Sequence, residues 1–230
     1  MSNKPRKPLR IAEPVPRFVV GTPPRIYVLA GVNGAGKSSV GGAAIRAAGG
    51  DYYNPDEAAR ECLAANPGLA QTEANSQAWQ IGRRLLEKAI VNRLDFSFET
   101  TLGAHTLPAM LCAAALDGFE VHIWYVGLTS AELHLARVKA RVEKGGHDIP
   151  EADIRRRYHH SRRNLIDLLP QLAALRVYDN SHNADPAMGN APKPALVLHR
   201  ERGAILNKTE LANTPDWAKP IVAAALKLGL

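Results

Sequence analysis

The run Gly31-Val32-Asn33-Gly34-Ala35-Gly36-Lys37-Ser38 constrains this chain more than any other feature. It has the spacing G-x-x-x-x-G-K-[ST], in which a glycine-rich turn aims successive backbone N–H groups at an anion. Such a turn needs a buried strand leading in and a helix leading out, because the helix N-terminus adds its positive end to the same site. Both neighbours are legible. Residues 25–30 (RIYVLA) form a short apolar run with β-branched and aromatic members, the pattern of a buried strand. Helical sequence runs from Lys37 and Ser38 to the pair Gly49-Gly50. The motif therefore predicts a nucleotide-binding loop of Gly31, Asn33, Gly34, Ala35, Gly36, Lys37, Ser38 and Ser39. Lys37 is placed to reach the β- and γ-phosphates of ATP, and Ser38 to hold Mg2+ through its hydroxyl.

The rest of the chain repeats this alternation. Short strands are expected at 51–53, 96–99, 121–126 and 175–178. Helices are expected from Pro55, over 73–93, 108–116 and 130–142, and over the basic stretch 150–169. Strands alternating with helices indicate an α/β fold: a parallel sheet of about five strands flanked by helices, as in P-loop kinases. Residues 1–24 are rich in proline and basic side chains and are expected to be an irregular lead-in. Residues 25–181 are expected to form the nucleotide-binding domain. Residues 182–230 are expected to be an extension packed on it, with a hairpin at 196–200 and 204–206 and a closing helix at 217–228.

Composition excludes several classes. No stretch is apolar and long enough to span a bilayer. Prolines rather than an apolar run follow Lys4, Arg6, Lys7 and Arg10, so the start does not read as a secretory signal. Cys62 and Cys112 have neither a disulfide framework nor metal-ligand spacing, which suits a reduced, cytoplasmic protein. Lys plus Arg number 29 against 22 for Asp plus Glu, a formal charge of +7 that favours an anionic partner. Nucleotide phosphates satisfy that preference. Nucleic acid is the weaker alternative, because no basic patch is interleaved with aromatic residues.

Several polar residues fall at the carboxyl ends of strands, where open parallel sheets collect ligands. Asp56 follows the second expected strand. It suits either a general base that takes the proton of an attacking hydroxyl or an acid in a first helical turn. Glu99, Thr100 and Thr101 follow the third strand. They suit substrate or magnesium-water contacts, or capping of the next helix. The basic segment holds Arg137, Arg141, Arg155, Arg156, Arg157, Arg162 and Arg163, with Gly145-Gly146 as a hinge. Arginine stabilises the charge that spreads over a phosphoryl group in transfer. Arg141 and Arg157 are the preferred lid arginines, with Arg155 in reserve, since three successive helical residues cannot face one way. His147, His159 and His160 read as lid or surface residues. Tyr178-Asp179-Asn180-Ser181 reads either as a turn or as a segment near the adenine.

Taken in order, GVNGAGKSS, YYNPDEAARE, FETTLG, RVEKGGHDIPEADIRRRYHHSRRNL and YDNS resemble the zeta toxin family of P-loop kinases in its compact bacterial form. The resemblance spans about residues 25 to 181. It implies binding of ATP and Mg2+ and transfer of the γ-phosphate to the 3′-hydroxyl of a UDP-activated amino sugar, UDP-N-acetylglucosamine. By motif, Lys37 matches the phosphate lysine and Asp56 the catalytic base. Glu99 and Thr101 match substrate contacts, and Arg141 and Arg157 resemble the lid arginines. An antitoxin protein is the implied macromolecular partner. The chain departs from the pattern in its loop sequence NGAGKSS and in Arg83 and Arg84, which stand where an acidic sugar contact is expected. Two alternatives differ in kind: a P-loop protein that modifies nucleic-acid ends, and a non-catalytic nucleotide switch within a toxin–antitoxin pair.

Overall fold

The computed structural model describes residues 21–42, 45, 52–182 and 194–229. The expected N-terminal lead-in therefore lies mostly outside the described residues, as does the far part of the helix after the glycine-rich loop. Strand β1 (Arg25–Ala30) is the hub of the sheet. It pairs in parallel with β2 (Phe96–Thr100) on one side and with β3 (Glu120–Gly127) on the other. Strand β4 (Ala174–Asp179) continues the parallel set beside β3. Ile26, Val28 and Ala30 are almost fully buried, as the central position of their strand requires.

The sheet has six strands and is mostly parallel, in the order β2-β1-β3-β4-β5-β6. It differs from the expected strand set at two places. Of residues 51–53, Tyr52 and Tyr53 are described, and they contribute a single parallel bridge, Tyr53 beside Phe98. The hairpin β5 (Ala195–Glu201) and β6 (Ala204–Lys208) joins the main sheet, antiparallel to β4, and is not separate from it.

Among the described residues, seven helical segments are five residues or longer. The loop opens into a π-helical turn, α1 (Ser38–Gly42). Then come α2 (Pro55–Ala65), α3 (Gln71–Val91), α4 (Thr106–Leu116), α5 (Ala131–Glu143), α6 (Glu151–Leu168) and α7 (Lys219–Leu228). Ser130 caps α5 through its hydroxyl, which accepts from the N–H of Leu133 at 3.2 Å. The main core draws Leu86 from α3, Leu111 from α4, Leu165 from α6 and Ile221 from α7 onto the sheet residues Ile26, Ile123, Leu175 and Leu198. Cys62 and Cys112 are both free thiols. No helix among the described residues is long and apolar enough to cross a membrane.

Register positions the site. Ala30 lies opposite Thr100 on β2 and Tyr125 on β3, so β1 and β2 end together and β3 runs two residues further, to Gly127. Gly31, Thr101 and the end of β3 consequently emerge side by side. The N–H of Gly31 still donates to the carbonyl of Thr100 at 3.2 Å, which carries the pairing one residue past the strand.

Candidate active site

The glycine-rich loop starts where the backbone has no room for a side chain. Gly31 has φ 143°, and a Cβ there would stand 2.2 Å from the carbonyl oxygen of Val126. Two loop carbonyls are held from outside. His134 Nδ1 donates to the Asn33 carbonyl at 2.8 Å, and Asn180 Nδ2 donates to the Ala35 carbonyl at 2.8 Å. Burial pushes His134 down to about 4, with the Asn33 carbonyl opposing the shift. The ring is therefore neutral at ordinary pH and has its proton on Nδ1, the atom that faces an acceptor. The Gly31 and Ala35 N–H groups are given to the Thr100 and Val32 carbonyls, and with the Asn33 and Ala35 carbonyls turned away the rest of the loop backbone can face an anion.

Lys37 and Glu99 are only 7% and 8% exposed and stand 3.4 Å apart, Nζ to Oε1. Lys37 Nζ also reaches the Val32 carbonyl at 3.4 Å. Ser38 donates its hydroxyl to the other carboxylate oxygen of Glu99 at 3.0 Å. An acid at this depth needs partners, and the lysine and serine of the loop supply them. The arrangement fits the implied nucleotide and metal. A buried ammonium beside open N–H groups suits phosphate, and a hydroxyl next to a carboxylate suits a hard divalent cation with oxygen ligands.

Asp56 does not cap its helix. Asn54 does: its Oδ1 accepts from the N–H of Asp56 at 2.9 Å and from that of Glu57 at 3.4 Å, with Pro55 in the first helical position. The Asp56 carboxylate is thereby free to face outward. Arg141 Nη1 donates to its Oδ2 at 3.3 Å, while His147 Nε2 lies 3.7 Å from Oδ1. Arg141 is itself fixed by the His147 carbonyl at 2.9 Å. Burial lowers the His147 pKa, opposed by the Asp56 charge.

A cleft of about 430 Å³ joins these groups, lined among others by Asn33, Asp56, Glu99, Thr101, Arg156 and Arg157. Arg157 joins α6 to the phosphate loop across the cleft. Nη1 donates to Asn33 Oδ1 at 2.9 Å, and Nη2 to Asp153 Oδ2 at 3.3 Å. Burial lowers the Arg157 pKa, with the Asp153 charge opposing. The outer wall is one face of α3, where Thr72, Asn75, Ser76, Trp79 and Arg83 recur at helical spacing.

The sequence-predicted residues thus fall into three groups. Asn33, Asp56, Glu99, Thr101 and Arg157 line the cleft directly. Lys37, Ser38 and Arg141 touch residues that do. Gly31, Gly34, Ala35 and Gly36 form the cradle, and Ser39, the second residue of α1, is exposed. Arg155, the reserve lid residue, is placed elsewhere: it pairs with Glu132 and Glu151 on the surface, both at 2.7 Å. Its neighbour Arg156 faces the cleft instead, paired with Asp153 at 2.8 Å. Thr100 and Thr101 do not cap α4. Each hydroxyl accepts a backbone N–H two residues on, from Leu102 and Gly103. These turns hold Leu102 at φ 51°.

Sequence reasoning missed His134 and Asp153 and gave no role in the site to His147. A stripe of Ile154, Ser161 and Leu165, buried on α6 at spacings of seven and four, is the signal that sets which arginine turns inward.

Comparisons with known proteins agree with this architecture. The family model described as Zeta toxin matches residues 12–185. A protein of Haemophilus influenzae is 36% identical over 132 residues, 56% of this chain and 88% of that one. Among solved structures, the AvrRxo1-ORF1:-ORF2 complex with ATP superposes with a TM-score of 0.62 at 14% identity. That match covers 89% of this chain but 64% of the other, less than two thirds of its length. The PezAT chromosomal toxin–antitoxin system of Streptococcus pneumoniae gives a TM-score of 0.52 at 16% identity over 76% of each chain. At these identities the solved structures speak to the fold alone.

Proposed function

The chain belongs to the zeta toxin family, and on that premise we propose that it is an ATP-dependent kinase that phosphorylates a hydroxyl of a small, nucleotide-sugar-like acceptor. One observation carries the reading: a residue of the phosphate loop, Asn33, lines the same cleft as Asp56, whose carboxylate is not spent on capping its own helix. A phosphoryl donor on the loop and a hydroxyl in the cleft would meet between them.

Bound ATP would supply the phosphoryl group, and Mg2+ would neutralise charge on its β and γ oxygens. Ser38, with Glu99 behind it, is placed to hold that ion. Lys37 is placed to bind the β- and γ-phosphate oxygens, exchanging part of its contact with Glu99 for them. Asp56 accepts the acceptor's hydroxyl proton as the acceptor oxygen bonds to the γ-phosphorus and the bond to the β-phosphate oxygen breaks. Arg157 spans the two substrates and Arg141 orients Asp56, so both cations sit where charge accumulates. The polar face of α3 is the wall against which the acceptor lies, with UDP-N-acetylglucosamine the first candidate. An antitoxin partner is part of the same proposal, supported by the toxin–antitoxin system among the structural relatives.

The test is a screen of UDP-sugars, nucleosides and sugar alcohols with radiolabelled ATP, following labelled product with wild type and Asp56→Asn. Labelled acceptor from wild type that vanishes in the variant supports the proposal. ADP release at one rate with every acceptor and with none refutes it.

A further inference from the structure

The C-terminal segment reaches the nucleotide loop through a chain of buried contacts. Trp217 lies beyond the residues matched by the family model, yet it is 3% exposed and its ring covers the end of β3. A Cβ on Gly127 would stand 2.3 Å from the Trp217 ring, so only glycine permits the approach. Trp217 Nε1 donates to Asp179 Oδ1 at 3.0 Å. Asp179 is a buried carboxylate at the end of β4, in register with Gly127, and phosphoryl transfer as described above does not use it.

From Asp179 the contacts run to the loop. The Ser181 hydroxyl donates to Asp179 Oδ1 and accepts the Thr129 N–H at 2.9 Å. Between them, Asn180 donates its backbone N–H to Gly127 at 3.0 Å and its side-chain amide to the Ala35 carbonyl. Arg162 ties the same turn to the tryptophan from the other side. Its Nη1 donates to the Trp217 carbonyl at 3.3 Å, and its guanidinium lies 4.0 Å from the Tyr158 ring centre. The Tyr158 hydroxyl in turn donates to the Thr129 carbonyl at 2.9 Å.

We infer that Asn180 and Trp217 are positioning residues for nucleotide binding: the C-terminal segment sets nucleotide affinity by holding the Ala35 carbonyl away from the phosphates. The physics is a matter of sign. A loop carbonyl that turns inward presents negative charge to an anion, whereas one held by an amide leaves only N–H groups facing it. Asn180 supplies that amide. It stays in place because Asp179 and Ser181 fix the turn on either side, and a charge-assisted bond from Trp217 anchors Asp179. The inference rests on the nucleotide-binding half of the proposed function and not on the acceptor.

The experiment is calorimetric titration of the full chain with ATP, paired with thermal unfolding without nucleotide, for wild type, Asn180→Ala, Trp217→Phe and Ile221→Val. Trp217→Phe keeps the ring over Gly127 and removes only the N–H. The expected results are an ATP Kd about tenfold weaker for Asn180→Ala and about fivefold weaker for Trp217→Phe. Ile221→Val, buried in α7 of the same segment, should lower the melting temperature and leave the Kd alone. Trp217→Phe binding ATP as wild type does overturns the inference, as does Ile221→Val weakening binding equally for an equal loss of melting temperature. Should Trp217→Phe not fold, Ser181→Ala breaks the same turn from its exposed side and must weaken ATP by about threefold; an unchanged Kd there also overturns it. A wild type that binds ATP but phosphorylates no acceptor defeats the kinase proposal alone. Wild type binding with unaffected variants defeats this inference alone, and no ATP binding at all defeats both.

Discussion

The two walls of the cleft are built differently. On the nucleotide side, the loop is held by contacts between residues far apart in sequence, such as His134 to Asn33 and Asn180 to Ala35, and its key ion pair is more than nine-tenths buried. On the acceptor side, Asp56 pairs with Arg141, Arg83 with Glu87 and Arg156 with Asp153, all side chains about a third or more exposed. The first wall is fixed by the topology of the sheet, because β1 and β2 end together with β3 running alongside. The second is made of side chains projecting from helices, and these can change partner when a ligand arrives. A rigid cradle suits one invariant donor. An adjustable wall suits selection among acceptors, and substitutions on the two sides should therefore fail in different ways.

The largest effect is expected in the rigid wall. Lys37→Ala should reduce phosphoryl transfer by on the order of a thousandfold or more, since it removes the cation nearest the transferring group. It should also destabilise the fold, because Glu99 is left as a buried charge without its cation, a loss of about 3–5 kcal/mol. The double variant Lys37→Ala/Glu99→Gln separates the two effects: thermal melts should recover while transfer stays absent. Full activity in the single variant would break the comparison at its firmest point.

Asp56→Asn comes next and should behave in the opposite way. Its carboxylate is partly exposed and caps no helix, so stability should change little. Loss of the proton acceptor should lower kcat by about a hundredfold to ten-thousandfold, with ATP affinity within twofold of wild type. Single-turnover assays beside nucleotide titration give both numbers. Weakened ATP binding would mean that the two walls are not separable.

The third prediction concerns pH. His134 sits in the rigid wall with its pKa pushed by burial from 6.5 to about 4. A histidine depressed in the folded state contributes stability that is fully present above about pH 6.5 and is lost as pH falls through about 4. His147, lowered in the same direction, adds to that limb. The full His134 shift corresponds to about 3 kcal/mol at most. Denaturant unfolding between pH 7 and 4 should therefore show a falling acid limb, and His134→Gln, which keeps a donor but does not titrate, should flatten it. An unchanged limb would mean that His134 is not held neutral against the loop.

What the sequence revealed follows the same division. The loop motif and the strand before it were legible because they are local: glycine spacing and an apolar run determine them within a dozen residues. Glu99 was legible as a buried acid needing partners. Whether Asp56 capped its own helix was not, since Asn54, Pro55 and Asp56 all suit a helix start, and only the backbone shows that Asn54 takes the N–H groups. Among the three successive arginines the sequence preferred Arg157, which lines the cleft, but held Arg155 rather than Arg156 in reserve, because the rotation of α6 sets which of those two faces inward. The supports from His134 and Asn180 span 101 and 145 residues of sequence, and no local pattern encodes such a contact. The hairpin's place in the sheet depends equally on a long-range pairing, of β5 with β4.

The smallest effects are expected on the adjustable wall, and a pair of arginines gives the finest test. Arg83 lines the cleft from α3 and also pairs with Glu87 one helical turn on. Arg155 lies on α6, outside the cleft, between Glu132 and Glu151. Both are surface ion pairs of the kind worth about 0–1 kcal/mol to stability, so neither alanine variant should shift the melting temperature noticeably. They should differ in kinetics. Arg83→Ala removes a cation from the wall facing the acceptor and should raise the acceptor KM by about fivefold, with kcat and the KM for ATP unchanged, the mark of lost uniform binding. Arg155→Ala should change none of the three. If Arg155→Ala instead lowers kcat, α6 turns on closure far enough to bring a different arginine inward, and the wall adjusts by moving whole helices as well as side chains.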